Sequence, residues 1–338
     1  MHGVNSISTN PDERAALLQR LVAPVLAELE QTEAVLARQL SSRYGFIQTL
    51  VRHIERFRGK RLRPALLLLS ARAFGGEAPL ATEVAALVEM IHLATLCHDD
   101  ILDDAATRRS VPTVNAEWGN KAAVMTGDIL FSRAFEVLGG LDDARPYKQL
   151  SHTARLICEG ELLQIASRFN AGLTEEDYFD LIDKKTAQLF GAATELGALL
   201  AGASEADGKK LFLYGQRLGM AFQIVDDCLD LMGVETTVGK SLGSDLKNGE
   251  PTLPLIHLLA HAETATKLDL LRLFTPGNPN LTRENLRPHL ERSGAVEYAL
   301  KVAHDEIQRA RDEIAFLPES ASKEVLHDLP HYVLARES

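Results

Sequence analysis

Two clusters of aspartates have the residue types and the spacing of a metal-binding site. The first is Asp99-Asp100-Ile101-Leu102-Asp103, and the second is Asp226-Asp227-Cys228-Leu229-Asp230. A helix advances about 100° per residue, so side chains four positions apart, such as Asp99 and Asp103, project side by side. Carboxylates at this spacing repel each other, and apolar neighbours do not offset their charge. The pattern therefore predicts a bound cation at each cluster.

The carboxylates of these clusters suit Mg²⁺, which keeps several waters and bridges protein carboxylates to substrate phosphates. A single cluster could equally be a solvated acidic face or a helix cap. In this chain the pattern occurs twice, each time among apolar residues at helical spacing. Two such clusters facing each other could bind one diphosphate through metal ions, and we expect that arrangement.

Basic segments accompany the acidic clusters, as a protein that binds a polyanion requires. They are Arg58-Gly59-Lys60-Arg61-Leu62-Arg63-Pro64, Arg108-Arg109, Lys184-Lys185-Thr186 and Gly239-Lys240-Ser241. Each could alone be a solvated patch, but together with the acidic clusters they favour a diphosphate site. His92 lies on the helical stripe of Asp99 and could be a core residue or a ligand contact. We interpret Cys97 and Cys228 as packing residues rather than nucleophiles.

The elements that must position these residues are predicted to be helices. Apolar residues recur at helical spacing from Leu17 to Leu29, after a start signal at Asn10-Pro11. Further predicted helices are 65–74, 81–96, 121–138, 150–166, 177–201, 208–232, 254–262, 296–314 and 323–334. Turn-forming residues separate them at 75–79, 139–140, 170–172 and 275–280. Two-residue alternation is almost absent, so the pattern predicts an all-α fold.

Charge and composition exclude several other classes of protein. A net charge of -11 in 338 residues argues against nucleic acid as a partner, because that binding depends on Lys and Arg. Three scattered cysteines are too few for a disulfide framework or a thiolate zinc site, and a reducing cytoplasm is expected. We expect neither a secretory leader nor an integral membrane segment, since no apolar run approaches the roughly 18 residues of a span.

In order and spacing, these motifs resemble the trans-isoprenyl diphosphate synthase (polyprenyl synthetase) family, most clearly from Gly59 to Pro254. The matching motifs are Gly59 to Pro64, Asp99 to Asp103 with Arg108-Arg109, Gly160-Glu161-Leu162-Leu163-Gln164, Lys185-Thr186-Ala187, Phe222-Gln223 with Asp226 to Asp230, and Gly239-Lys240 with Asp245. The chain is most similar to the medium- and long-chain (octaprenyl-type) all-trans synthases. The resemblance implies one all-α domain over residues 1–338, an isoprenoid-synthase-type bundle of about ten or more helices around a central cavity, usually homodimeric.

The resemblance also implies roles for individual residues. Catalysis would involve Lys185 and the aspartates Asp99, Asp100, Asp103, Asp226, Asp227 and Asp230, and the metal ligands would be Asp99, Asp103, Asp226 and Asp230. Arg108, Lys185, Thr186, Gln223 and Lys240 match positions that hold an allylic diphosphate: geranyl, farnesyl or geranylgeranyl. Lys60, Arg63, His92 and Arg109 match those that hold isopentenyl diphosphate. The implied cofactor is Mg²⁺, three ions with substrate bound, and Mn²⁺ is a possible substitute.

Two positions depart from the family pattern. Ser110 stands where a glycine often follows the arginine pair, and Glu250 stands where many members place a lysine. The glutamate leaves open whether an extra phosphate contact exists, for example from Lys247.

The implied reaction ionises the allylic carbon–oxygen bond, and the isopentenyl double bond then attacks the carbocation. Cations that stabilise the departing diphosphate would supply most of the catalysis, and that diphosphate would accept the lost proton. The resemblance places the end of the tail cavity at Ala94 and Thr95, neither of which is aromatic. The first cluster also lacks the two-residue insertion of many bacterial short-chain enzymes. We therefore predict a medium or long product.

Four alternatives stay open. A geranylgeranyl or farnesyl diphosphate synthase would differ only in product length. A class I terpene cyclase is disfavoured, because the second cluster repeats the first and the basic residues for isopentenyl diphosphate are present. A non-catalytic subunit could lose its metal ligands, whereas this chain keeps both sets. A plain helical scaffold would gain nothing from clustered carboxylates that reduce stability.

Overall fold

Apolar residues at helical spacing form helices along almost the whole chain. The computed structural model describes residues 17, 19–57, 59–233 and 242–334. The first half contains a 3₁₀ turn at Ala23–Val25 and helices α1 (Leu26–Leu40), α2 (Gly45–Glu55), α3 (Leu62–Ala73) and α4 (Ala81–Leu102). Next come a hairpin of strands β1 (Thr107–Arg108) and β2 (Val111–Pro112), then α5 (Val114–Trp118), α6 (Asn120–Gly139) and α7 (Ala144–Ser167).

The second half of the described chain is also helical. It contains α8 (Glu175–Ile182), a π-helical turn (Asp183–Ala187), α9 (Gln188–Leu200) and α10 (Glu205–Met232). After residue 242 come α11 (Ser244–Asn248), α12 (Leu253–His261), α13 (Thr264–Leu273), α14 (Arg283–Ser293), α15 (Ala295–Glu313) and α16 (Ala321–Leu334). The all-α prediction is confirmed.

Helices α3, α4, α9 and α10 form the centre of the bundle. Helix α9 packs against α3 and α10, while α4 packs against α3 and α6. In α4 the consecutive residues from Val84 to Val88 are all fully buried, so this helix is enclosed on every side rather than along one stripe. A helix enclosed in this way holds its end rigidly, and the end of α4 carries the first aspartate cluster.

The predicted helix 177–201 is interrupted in the structure. A π-helical turn at Asp183–Ala187 separates α8 from α9 and contains Lys185 and Thr186. Such a turn keeps the helical direction but inserts an extra residue, which rotates the side chains after it. Apolar periodicity cannot detect it, because the buried stripe continues on both sides. Single π-turns inside helices are frequent at functional sites.

Three predicted boundaries differ from the structure: the first predicted helix, 17–29, contains a 3₁₀ turn and α1 continues to Leu40, α4 ends six residues after 96, and α7 begins six residues before 150. The other predicted boundaries agree to within about three residues, and several short elements were not predicted. The missed elements are α2, the β1–β2 hairpin, α5, α11, α13 and α14. Helix α14 contains an internal proline at Pro288, and α5 and α11 have only five residues each, too short for a periodic pattern. The start signal at Asn10-Pro11 lies outside the described residues. Among the described helices, none is both long and apolar enough to cross a bilayer.

Candidate active site

The first aspartate cluster lies at the C-terminal end of α4, where Asp99 and Asp103 differ in how far they are buried. Asp99 is half-buried, and its Oδ1 is enclosed without a hydrogen-bond partner. Burial and then the charge of Glu161 raise the pKa of Asp99 to about 7. Asp103 is the C-cap of the helix and is partly exposed. An enclosed, unpaired carboxylate oxygen is the kind of group that a metal ion would satisfy.

Asp100 has a different environment from its two neighbours in the cluster. Its side chain is 1% exposed, and Arg108 Nε and Nη2 each lie 2.7 Å from its Oδ1. This charge-assisted pair ties the end of α4 to strand β1. Asp100 therefore positions Arg108 beside the cluster. The catalytic role of Asp100 stays a prediction.

The turn that joins β1 to β2 explains one departure from the family pattern. Arg109 and Ser110 both have positive φ, of 51° and 63°, as the two central residues of a type I′ hairpin turn do. A glycine adopts this conformation without strain, which accounts for glycine at the second position in relatives. The turn directs Arg109 to the carbonyl of Phe57, and a Cβ on Gly59 would lie 2.5 Å from Arg109 Nη1. Gly59 thus leaves room for the guanidinium.

The second cluster lies at the end of α10, and two of its aspartates are held by neighbouring elements. Asp227 accepts hydrogen bonds from the Tyr178 hydroxyl at 2.7 Å and from Gln223 Nε2 at 2.8 Å. Burial raises the pKa of Asp227 to about 7, and these two donors oppose the rise. Asp230 accepts from the Ser244 hydroxyl and from the Asp245 backbone N–H, at 3.2 and 3.1 Å.

Asp226 differs from the other two aspartates of its cluster in being half-buried rather than buried. Its charge contributes to the raised pKa of Asp227. The partners of Asp227 and Asp230 fix the backbone of α10 around it. Asp226 is therefore the member of this cluster best placed by exposure to meet a ligand.

Helix α11 connects the two clusters in space. Its first residues bind Asp230 of the second cluster, as described above, and its last residue, Asn248, donates from Nδ2 to Asp103 Oδ1 at 3.2 Å. The helix is only five residues long, about 7 Å at 1.5 Å per residue. The structure thus brings together aspartates that are more than a hundred positions apart in the sequence.

Lys185 lies beside the first cluster, on the π-helical turn. Its Nζ contacts Gln164 Oε1 at 2.6 Å and Glu161 Oε2 at 3.1 Å. Burial lowers the pKa of this ammonium, but the charges of Glu161, Asp99, Glu250 and Asp103 outweigh burial, so the pKa is raised. Four carboxylates around one cation form an acidic site that attracts positive charge.

Two local features position the residues of the π-helical turn. A Cβ on Gly160 would lie 2.7 Å from the backbone nitrogen of Lys185, so glycine permits α7 to touch the turn. Thr186 donates from its hydroxyl to Gln223 Oε1 at 2.9 Å. Lys185, Thr186 and Gln223, predicted to share the allylic diphosphate, are therefore neighbours.

Basic residues form a separate pocket near the start of α3. Arg63 Nε is buried and has no hydrogen-bond partner, and its guanidinium carbon lies 4.4 Å from the centre of the Phe190 ring. Burial is the main cause that lowers the pKa of Arg63 to about 10; the charge of Arg109 acts in the same direction, and the charges of Glu89 and Asp99 oppose it. A buried guanidinium N–H without an acceptor indicates a site for an anion.

His92 belongs to this pocket. Burial and then the charges of Arg63, Arg109, Arg108 and Arg61 lower its pKa well below the ordinary value. The imidazole is therefore neutral at pH 7 and surrounded by positive charge.

Two other basic residues of the same segment have partners elsewhere. Lys60 Nζ lies 4.8 Å from the centre of the Tyr332 ring at the edge of the bundle. Arg61 is not part of the pocket, because Glu33 and Glu89 bind its guanidinium at 2.5 and 2.6 Å. Of the basic residues around the start of α3, Arg63 is thus the one enclosed beside His92.

Two further predicted residues lie four and five positions, a little more than one helical turn, before Asp99. Ala94 is fully buried, and Thr95 is half-buried with its hydroxyl bonded to the His92 carbonyl at 2.8 Å. Helix α4 packs on α6 through close contact of His98 with Gly127, and buried α6 residues further along include Leu130 and Ala134. The surroundings of Ala94 are thus apolar.

Sequence reasoning did not identify Tyr178, Arg168 or Asn248, and it left Glu250 unresolved. Tyr178 follows a capping box, Thr174 to Asp177, that begins α8. Lys240 lies in the segment 234–241, outside the described residues, and its role stays a prediction.

The donor set fits Mg²⁺. All the candidate ligands are carboxylate oxygens, one of which is enclosed and unpaired on Asp99. In the part of the chain that the structure describes, no three His, Cys, Asp or Glu side chains are grouped as a preformed metal cage. Mg²⁺ commonly binds one or two protein carboxylates and completes its shell with water and phosphate oxygens.

Comparison with known proteins shows the family of this chain. The polyprenyl synthetase family model matches residues 45–284. The chain is 38% identical over 322 residues to an all-trans-nonaprenyl-diphosphate synthase (geranyl-diphosphate specific) of Rhodobacter capsulatus, covering 94% of this chain and 98% of that protein. It is 34% identical over 320 residues to an octaprenyl diphosphate synthase of Escherichia coli (strain K12), covering 95% and 99%.

The fold is also shared with a solved structure. A decaprenyl diphosphate synthase from Rhodobacter capsulatus superposes with a TM-score of 0.88 at 36% identity, covering 95% of this chain and 99% of that chain. The family resemblance expected from the motifs is confirmed. This chain belongs to the polyprenyl synthetase family of prenyltransferases.

Proposed function

We propose that this protein is an all-trans-polyprenyl diphosphate synthase that joins isopentenyl diphosphate to an allylic diphosphate. One observation carries the proposal: α11 joins the two aspartate clusters, Lys185 lies beside the first of them, and a separate pocket contains Arg63, whose buried Nε has no hydrogen-bond partner. The first arrangement suits a metal-bound diphosphate, and the second suits another anion. A condensation of two diphosphate substrates needs both.

Asp99, Asp103, Asp226 and Asp230 would hold Mg²⁺, for which Mn²⁺ could substitute. When bound, the metal would neutralise negative charge on the departing diphosphate. Asp99 provides an unpaired oxygen for this purpose. The number of ions, three with substrate bound, is carried over from the family and is part of the proposal.

The chain's own cations would bind and orient the allylic diphosphate. Arg108 is fixed by Asp100, Lys185 is held by Gln164 and Glu161, and both point toward the first cluster. Because these groups are already ordered, little reorganisation is needed as charge develops on the leaving group. Thr186, Gln223 and Lys240 would complete this set.

Isopentenyl diphosphate would bind Arg63, Arg109, Lys60 and His92. The neutral imidazole of His92 would donate a hydrogen bond to the diphosphate without competing for protons. The enclosed position of Arg63 excludes water from the reacting groups, which protects a carbocation from hydrolysis. No side chain needs to remove a proton in this scheme, since the released diphosphate can accept it.

The product would be of medium or long chain length. Its tail would enter the bundle beside Thr95 and the small, buried Ala94 of α4, the helix that packs against α6. A geranylgeranyl or farnesyl product is the alternative, and it would need bulk at a deeper position than Ala94. Purified protein, incubated with isopentenyl and geranyl or farnesyl diphosphate and Mg²⁺, distinguishes the two by chain-length chromatography of labelled products. Absence of any elongation would contradict the proposal.

We also propose that the protein is a homodimer of single-domain protomers. Helix α6 exposes Met125 and Ile129, and α7 exposes Leu162, which is 66% accessible. Exposed apolar side chains grouped on neighbouring helices commonly mark an interface. Glutamate at Met125 and Ile129 should shift the mass measured by light scattering from dimer to monomer. The cytoplasmic location stays a prediction.

A further inference from the structure

Glu250 occupies a central position in the site although many family members have a lysine there. Its side chain is 11% exposed. One carboxylate oxygen, Oε2, accepts a hydrogen bond from Gln164 Nε2, and the other, Oε1, lies 3.4 Å from Arg168 Nη2. Glu250 thus connects the segment after α11 to two residues at the end of α7.

The amide of Gln164 links Glu250 to Lys185. Lys185 Nζ donates to Gln164 Oε1 at 2.6 Å, and Gln164 Nε2 donates to Glu250. An ammonium can only donate and a carboxylate can only accept, so the two neighbours force one orientation on the amide. A lysine at position 250 would favour the opposite orientation and turn the amide NH₂ toward the Lys185 ammonium.

Arg168 extends this chain of contacts to the first aspartate cluster. Its Nη2 lies 3.2 Å from the Leu102 carbonyl oxygen and 3.9 Å from Asp103 Oδ1. Its Nε is buried and has no hydrogen-bond partner. Glu250 therefore holds a guanidinium beside Asp103, where it supplies the positive charge that a lysine at position 250 would have brought.

We propose that Glu250 is a positioning residue for the allylic diphosphate. Through Gln164 it fixes the ammonium of Lys185, and through Arg168 it keeps a cation at Asp103. The proposal rests on the synthase function proposed above. It assigns Glu250 and Arg168 to one pair of charges, in which position 168 supplies the cation.

The test uses a pair of substitutions that reverse the contact. Glu250→Lys should turn the Gln164 amide and displace Lys185, lowering kcat/KM for the allylic diphosphate about tenfold, a typical effect between contacting polar groups. The KM for isopentenyl diphosphate should stay within about twofold, because Arg63 and Arg109 belong to the other pocket. Gln164→Glu should also lower kcat/KM, since it places two carboxylates side by side.

The double variant Gln164→Glu with Glu250→Lys provides the decisive comparison. In that variant the new ammonium at position 250 can donate to one oxygen of the new carboxylate at position 164. The second oxygen stays available to Lys185, so kcat/KM should recover to within about threefold of the parent. Glu250→Gln, which still offers an oxygen to Gln164, should retain most activity. Glu30→Lys on an exposed turn of α1 controls for the change in net charge.

Each outcome decides the matter. Unchanged or improved kcat/KM in Glu250→Lys would overturn the proposal, as would a double variant no better than its weaker single parent. Equal changes in the KM values of both substrates would show that the substitution does not act on the allylic diphosphate in particular and would also overturn the proposal. If the parent protein elongates no substrate, the synthase function itself fails, which is a separate result.

Discussion

The hydrogen bond from Tyr178 to Asp227 offers a quantitative test of how the second aspartate cluster is held. The two oxygens are 2.7 Å apart, and the side chains are 2% and 5% exposed. Replacing Tyr178 by Phe removes the hydroxyl and leaves the ring in place. The carboxylate of Asp227 then keeps only the donor from Gln223.

The size of the effect follows from the charge on the carboxylate. Hydrogen bonds to charged groups contribute about 1.5–3 kcal/mol, and those to neutral groups about 1 kcal/mol. Burial raises the pKa of Asp227 to about 7, so this group is mostly ionised at pH 8 and mostly protonated at pH 6. Tyr178→Phe should therefore lower the free energy of unfolding by about 2 kcal/mol at pH 8 and about half that at pH 6.

The assay is urea unfolding followed by circular dichroism, with the dependence on urea concentration compared between variants. Tyr147→Phe is a matched control, because that side chain is 45% exposed and should change little. In an Asp227→Asn background the cost of Tyr178→Phe should fall to about 1 kcal/mol at both pH values. A cost that is independent of pH, or equal in both backgrounds, would refute this account of the cluster.

Three further predictions concern product length, pH and the second anion pocket. Ala94→Phe should shorten the labelled product and lower stability by about 1–3 kcal/mol, because a bulky ring enters a closed core; an unchanged product ladder would remove Ala94 from chain-length control. For the metal-free protein, the folded-state pKa values of Asp99 and Asp227 are about 7, above the ordinary 3.8, so the folded state holds protons that the unfolded state releases. Their contribution to the free energy of unfolding is full below about pH 4 and is lost as the pH rises through 7. Urea unfolding from pH 5.5 to 8 should therefore show a falling free energy of unfolding. A flat profile, or the same fall in the double variant Asp99→Asn with Asp227→Asn, would contradict this prediction. Arg63→Leu should raise the KM for isopentenyl diphosphate at least about tenfold without reducing stability, since it removes a buried unpaired N–H. Steady-state kinetics test the change in KM, and urea unfolding tests the stability. A KM within twofold of the parent would contradict this assignment of the pocket.

Much of the fold was predictable because the apolar stripes of the long helices are regular. The boundaries of α6 and α10 agree with the prediction to within a few residues. The π-helical turn was not predictable, because inserting one residue leaves the buried positions on either side apolar. Short α11 also gave no periodic signal, yet it is the element that joins the two clusters.

The types of residue in the candidate site could be predicted from the sequence, but the separate roles of the individual aspartates could not. Spacing alone treats the aspartates of each cluster as equivalent. The structure separates Asp100 and Asp227, which are buried and bind Arg108 and Tyr178, from the half-buried Asp99 and Asp226. Those partners lie on other elements, and only tertiary packing brings them into contact.

The roles of Arg168 and Glu250 show the same limit. A glutamate where relatives place a lysine suggested, from sequence, only a lost contact. The structure shows a second charge, on the end of α7, that pairs with it and reaches Asp103. This contact joins residues 82 positions apart in the sequence and is visible only in three dimensions.

The central claim is that both aspartate clusters act together on one metal-bound diphosphate. The most direct measurement is calorimetric binding of inorganic diphosphate with Mg²⁺ to the parent protein and to Asp99→Ala and Asp226→Ala. The account predicts that either substitution weakens Mg²⁺-dependent binding at least about tenfold, as expected when a charge-assisted ligand is lost, and abolishes elongation. Binding and elongation at parental levels in either variant would contradict it.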